Sequence, residues 1–136
     1  MNDPMHGLLL FAHGARDPAW ALPFQAVAQR CREQRPGQAV RLAFLEFMPP
    51  NLVEAGAELA AQGCQVVDVV PLFLGAGGHV RKDIPVLMAQ LAALHPDVRW
   101  RLQATVGESP ALVEAMARIA LSAAEARDSP DARGAA

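Results

Sequence analysis

Three side chains in this sequence could do chemistry together: His13, Glu46 and His79. Each stands at or just beyond the end of a short apolar run, Gly7 to Ala12, Ala39 to Phe47 and Gln65 to Leu74. Two neutral imidazole nitrogens and one carboxylate oxygen can hold a first-row divalent ion and still leave coordination positions open, and the same groups accept protons near neutral pH. Taken singly, each has an ordinary explanation as a solvated loop histidine or a surface carboxylate. Their convergence depends on the elements that carry them.

Four apolar runs, the fourth being Val98 to Val106, alternate with four segments of helical period. The first and third runs are nearly continuous in Val, Leu and Phe, as strands covered on both faces must be, and are expected at the centre of a sheet. Pro18 to Arg35 places Trp20, Phe24, Val27, Ala28 and Cys31 at spacings of three and four before Pro36-Gly37. A second helix is expected from about Asn51 to Gln62, between Pro49-Pro50 and Gly63, and a third from about His79 or Asp83 to Leu94, with Ile84, Leu87, Met88, Leu91 and Leu94 on one face. The fourth begins at Ser109-Pro110 and runs to about Arg127, with Leu112, Met116, Ile119 and Leu121 as its apolar residues. Strand and helix repeated four times predict an α/β domain, a four-stranded open parallel sheet with helices on both faces, over residues 1–127, followed by a disordered tail at 128–136.

In such a sheet ligands bind beyond the carboxyl ends of the strands. His13-Gly14-Ala15-Arg16, Glu46 and Gly75-Ala76-Gly77-Gly78-His79 all leave on that rim. His6, near the amino terminus, and His95, in the last turn of a helix, do not share it. The glycine-rich loop lacks the third glycine of a dinucleotide fingerprint, since Val80 stands there, and the chain has no GxxxxGK, so neither NAD nor ATP is expected. Gly77 and Gly78 instead suit a backbone that turns tightly and approaches a flat ligand. Arg16, Arg81 and Lys82 lie on the same rim, where they can pair with carboxylates of an acidic substrate.

The whole chain has 136 residues, 52% of them hydrophobic and 19% charged, with a net charge of −2, which suits one globular domain able to bury its own core. No clustered basic excess points to nucleic acid or a membrane surface, and no apolar stretch is long enough to span a bilayer. Without a secretion signal, the compartment expected is the cytoplasm, and Cys31 and Cys64 are expected to be free thiols without function.

The stretches LLLFAHGARDP, LAFLEFMPPNLVEA, VVPLFLGAGGHVRKDIP and VGESPALVEAM together resemble the short, single-domain form of the CbiX/SirB sirohydrochlorin chelatases, over about residues 7 to 121. The resemblance implies an ATP-independent class II lyase with a flavodoxin-like fold that inserts cobalt or iron, with nickel a further candidate, into an acidic tetrapyrrole for cobalamin or sirohaem synthesis. It implies His13 and His79 as the catalytic, metal-binding pair, Glu46 as their accompanying ligand, and no tightly bound cofactor. This chain has His13-Gly14-Ala15-Arg16 where the family commonly has HGSR, so a hydroxyl beside the first histidine is missing. Longer members resemble two such units facing each other across a cleft, which makes a homodimer the expected assembly here. A non-catalytic divalent-metal carrier using the same three ligands is the competing expectation, and a receiver or nucleotide-binding module is disfavoured because His13 stands where a receiver needs acidic residues.

Overall fold

The computed structural model describes residues 4–75 and 77–126. Parallel strands β1 (His6–Ala12), β2 (Ala39–Phe44), β3 (Val66–Pro71) and β4 (Arg99–Leu102) form one sheet in the order β2-β1-β3-β4. The connecting helices are α1 (Leu22–Gln34), α2 (Leu52–Ala61) and α3 (Gly78–Leu94), and α4 (Pro110–Ala126) follows β4. The two apolar runs expected at the centre, β1 and β3, are the central strands.

Alternation along the strands divides the core into two layers. Leu9 and Phe11 of β1 and Val67 and Val69 of β3 are buried against Leu52, Ala55 and Leu59 of α2 and Val80, Ile84 and Leu91 of α3. Leu10 and Val40 point to the other face, against Ala28 of α1. Each Val, Leu, Ile or Phe among them contributes about 1.5–3 kcal/mol of burial. The register Leu9↔Val69 and Leu10↔Leu42 fixes which residues face which layer, since a slip by one would turn every apolar side chain over.

Several boundaries differ from those expected. Strands β2, β3 and β4 stop three or four residues early, at Phe44, Pro71 and Leu102, so Leu45 to Phe47, Leu72 to Leu74 and Gln103 to Val106 belong to the rim. The last ladder bonds show why: Leu45 N–H donates to the Ala12 carbonyl at 2.8 Å and Leu72 N–H to the Phe11 carbonyl at 2.7 Å, after which the neighbouring strand offers no further partner. The helix expected from Pro18 begins instead as a 3-10 turn, Pro18–Ala21, capped by the Asp17 carboxylate on the Ala19 N–H at 2.9 Å. Asn51 caps α2 as part of a capping box with Glu54. Helix α3 starts at Gly78 and carries Pro85 inside it, which leaves the Arg81 carbonyl without its helical donor.

The largest departure is α4. Met116, Ile119 and Leu121 are about half or more exposed, and no residue of the helix is buried. Its amphipathic face was expected to cover the sheet. Helix α4 follows β4, the edge strand of the sheet, with no further strand beyond that edge to lie over, and its stripe finds no partner within the described residues. The tail expected at 128–136 lies outside those residues. Cys31 and Cys64 are both free, and burial pushes the Cys64 thiol above its ordinary pKa. No described helix is long and apolar enough to cross a membrane.

Candidate functional site

The order β2-β1-β3-β4 puts the topological switch point between β1 and β3, because the chain leaves β1 toward β2 on one side and returns to β3 on the other. The crevice opened there receives the loop after β1, which begins with His13, and the loop after β3, which leads to His79. The loop after β2 closes the third side. Its course is fixed by Phe44 N–H, which donates to the Pro50 carbonyl at 2.9 Å.

Within this crevice His13 Nδ1 and Glu46 Oε1 lie 3.3 Å apart, with side chains 41% and 35% exposed. Half-buried, they face solvent without being free in it. Glu46 Oε2 is buried and has no hydrogen-bond partner among the described residues. A buried carboxylate oxygen without a donor is costly, by roughly 1–3 kcal/mol or more when charged, and such an atom in a native site calls for a donor or a cation. The His13 ring rests on Phe73, with centroids 4.4 Å apart, and its backbone carbonyl accepts from the Trp20 indole N–H at 2.7 Å. Beside it opens a cavity of about 400 Å³ lined by His13, Trp20, Phe24 and residues 72–75. Three aromatic rings and aliphatic carbon beside one imidazole make a surface for a flat, conjugated ligand.

Two glycines let the loops meet. A Cβ on Gly14 would run into the Glu46 carbonyl oxygen, and one on Gly107 into the Leu74 carbonyl. Gly14 therefore sets the distance between the loops that carry His13 and Glu46, and Gly107 N–H, donating to the Phe73 carbonyl at 3.0 Å, holds the loop after β3.

His79 stands apart from this pair. It is exposed in the first turn of α3, and among the described residues no group of three or more His, Cys, Asp or Glu side chains is arranged to hold a metal ion. Arg81 and Lys82 are exposed in the same turn, and Arg16 is exposed in the loop after β1 with its guanidinium 5.5 Å over the Phe47 ring. Gly77, with φ of −75°, and Gly78 have nothing within 4 Å of where a Cβ would stand. The tight turn expected of these glycines is thus not forced by backbone angle, and the space beside them is open. His6 and His95 are away from the rim: His6 opens β1 at the other end of the sheet, where it lines a hollow of about 540 Å³ with Arg35, Gln38 and Asp68, and His95 caps the end of α3.

Sequence reasoning missed Gly14, Gly107, Trp20, Phe47 and Phe73 as parts of the site. Gly14 carried a usable signal, a glycine directly after a strand and a candidate ligand. Phe73 and Phe47 carried none, since both sat in runs expected to be strand.

Comparison with known proteins gives a consistent picture. A sirohydrochlorin cobaltochelatase from Sulfurisphaera tokodaii is 33% identical over 87 residues, 64% of this chain and 71% of that protein. One from Saccharolobus islandicus is 38% identical over 86 residues, 62% of this chain and 64% of its own length, so the match spans just under two thirds of that relative. A CbiX protein of cobalamin biosynthesis from Marinobacter aquaeolei VT8 superposes with a TM-score of 0.78 at 34% identity, covering 88% of this chain and 98% of that one. The sirohydrochlorin chelatase SirB from Bacillus subtilis subspecies spizizenii, solved with cobalt, gives a TM-score of 0.73 at 25% identity over 82% of this chain and 47% of that one. The parallel α/β architecture is therefore shared with a CbiX protein of about this length and with a chelatase of about twice it. The CbiX family model matches residues 7–123, the stretch that holds all of the sheet but the first residue of β1 and every rim residue described above, and the chain belongs to the CbiX family.

Proposed function

We propose that this protein is a sirohydrochlorin chelatase that inserts a divalent metal, cobalt or iron, into the tetrapyrrole without ATP. The observation that carries this reading is the His13–Glu46 pair with its unpartnered carboxylate oxygen, set at the switch point beside an aromatic cavity. The names of the curated relatives and the cobalt complex of SirB support the same chemistry. The absence of a phosphate loop from the sequence favours a reaction that needs no nucleotide.

Metallation exchanges two pyrrole N–H protons for one M²⁺ ion, so the site has to hold an ion, strip its water and remove two protons. His13 and Glu46 supply a nitrogen and an oxygen to a hydrated ion and leave its other positions open to pyrrole nitrogens. His79, on the far side of the same rim, is the second imidazole: it completes the ligand set or accepts a proton that leaves the macrocycle, and solvent takes both protons onward. The affinity order of first-row metals means that these ligands do not choose cobalt over iron, or exclude nickel, by strength of binding alone. Arg16, Arg81 and Lys82, with the amino end of α3, concentrate positive charge where the substrate's carboxylates arrive, despite the net charge of −2.

The reading includes a homodimer. One four-stranded unit leaves the rim open to water, and a second copy facing it supplies the missing wall. The bare apolar stripe of α4 favours association as well, because exposed apolar area of this kind marks contact surfaces.

The deciding experiment follows the absorption change of sirohydrochlorin with Co²⁺ or Fe²⁺ against an enzyme-free control. Turnover that disappears in both His13→Ala and His79→Ala, with unchanged circular dichroism, is the expected result. Full activity in both variants refutes the assignment, and tight metal binding without turnover identifies a metal carrier instead.

A further inference from the structure

Phe47 is placed against both rules that ordinarily govern a phenylalanine. Its side chain is 64% exposed, so burial does not account for it. Its backbone has φ of 70°, a region where a bulky side chain is an outlier and where glycine would sit freely. Met48 N–H donates to the Glu46 carbonyl at 2.9 Å across it, which makes Phe47 the central residue of a strained γ-turn directly after the proposed ligand Glu46. The ring is turned out of the loop after β2 and toward the loop after β1, where it lies under the Arg16 guanidinium at 5.5 Å. Neither packing nor backbone preference explains an aromatic here, and strain retained at an exposed rim position points to use.

Building on the proposed chelatase reading, we propose that Phe47 is a specificity-determining residue for the tetrapyrrole: its exposed ring seats one face of the flat macrocycle at the edge of the His13–Glu46 pair, and by its cation–π contact it aims Arg16 at a peripheral carboxylate. The ligand class is therefore a planar conjugated ring bearing acidic arms. A ring without carboxylates would use the platform alone, and a flexible acidic chain would use Arg16 alone. The bridge runs between the loops that carry His13 and Glu46, so a seated macrocycle is registered against the ion held between them. Offset aromatic stacking on the platform and the aimed guanidinium together set an effect of roughly tenfold on substrate binding.

The test compares wild type with Phe47→Gly and Phe47→Tyr. Glycine removes the ring and relaxes the turn, whereas tyrosine keeps the aromatic face. The Kd for metal-free sirohydrochlorin is read from quenching of Trp20 and Trp100 fluorescence, alongside steady-state rates with Co²⁺ and thermal melting. Expected for Phe47→Gly are a Kd and a KM for sirohydrochlorin about tenfold higher, a much smaller fall in kcat, an unmoved KM for Co²⁺ and a melting temperature equal to or above that of wild type. Phe47→Tyr should return Kd and KM to within twofold of wild type. A Phe47→Gly variant that binds sirohydrochlorin as wild type does overturns the proposal, and so does one whose losses follow only from dimer dissociation in sedimentation. Wild-type protein that binds sirohydrochlorin in a Phe47-dependent way but does not metallate it refutes the chelatase reading and leaves the platform standing; protein that does not bind it at all refutes both.

Discussion

Gly14→Ala should damage the site more than its single methyl group suggests. The added Cβ would enter the space of the Glu46 carbonyl oxygen, whose distance from the backbone of residue 14 is set by the close approach of two loops. The nearby Met48 side chain, 3.1 Å from the same Cβ position, can rotate away, but a carbonyl in the backbone cannot. The loops therefore separate, by roughly an ångström or more, enough to break the 3.3 Å approach of His13 Nδ1 to Glu46 Oε1. A misplacement of about 1 Å at a reacting centre is worth on the order of 10²-fold in rate. Overpacking costs about 1–3 kcal/mol, and at about 4 °C per kcal/mol for a domain of this size the melting temperature should fall by roughly 4–12 °C. Gly77→Ala is the control, since nothing lies within 4 Å of its Cβ position and the folded protein can accept the methyl group. Melting by circular dichroism, Co²⁺ titration and sirohydrochlorin turnover should separate the two: Gly14→Ala loses metal affinity and rate together, while Gly77→Ala keeps its melting temperature and raises only KM if the macrocycle passes over the glycine loop. A Gly14→Ala protein with wild-type melting and turnover would refute the argument that this contact sets the His13–Glu46 distance.

Three further outcomes are expected. The Asp68 carboxyl accepts from Arg101 at 2.8 and 2.9 Å and from Gln103 at 2.8 Å, and the Arg101 hydrogen bond above all holds its pKa below the usual carboxylate value. A lowered folded-state pKa stabilises the protein fully above the ordinary value of ~3.9 and ceases to do so as pH falls through the lowered one, so Asp68→Asn should lose stability at neutral pH and flatten the acid limb of a urea-melting series below pH 4. Wild-type protein should sediment as a dimer, and Met116→Asp with Ile119→Asp on α4 should leave its circular dichroism intact; wild-type protein that is monomeric and fully active refutes the facing-rim assembly. Arg81→Ala should raise KM for sirohydrochlorin more than it lowers kcat, with a salt dependence weaker than that of wild type, and equal metallation of a neutral tetrapyrrole ester would show that the basic rim residues do not select substrate.

The layered α/β order, the two central strands and the rim on which His13, Glu46 and His79 emerge were all legible in the amino-acid sequence. They could be read there because continuous apolar runs and three-four spacings report burial directly, and because right-handed crossovers leave few topologies for four strand–helix units. The sequence also carried the family resemblance, since LLLFAHGARDP and VVPLFLGAGGHVRKDIP are local strings. Pairing of His13 with Glu46, 33 residues apart, was decided only by tertiary structure: it depends on Gly14 meeting the Glu46 carbonyl, a contact between loops that no local pattern encodes. The same holds for Phe73 under His13 and Phe47 under Arg16, where identical residue types in apolar runs become a buried ring and an exposed one according to where the ladder bonds end. The bare stripe of α4 is the converse case. Its periodicity was legible, but whether an apolar face is covered depends on what stands beyond the edge strand β4, and helical spacing alone does not contain that neighbour.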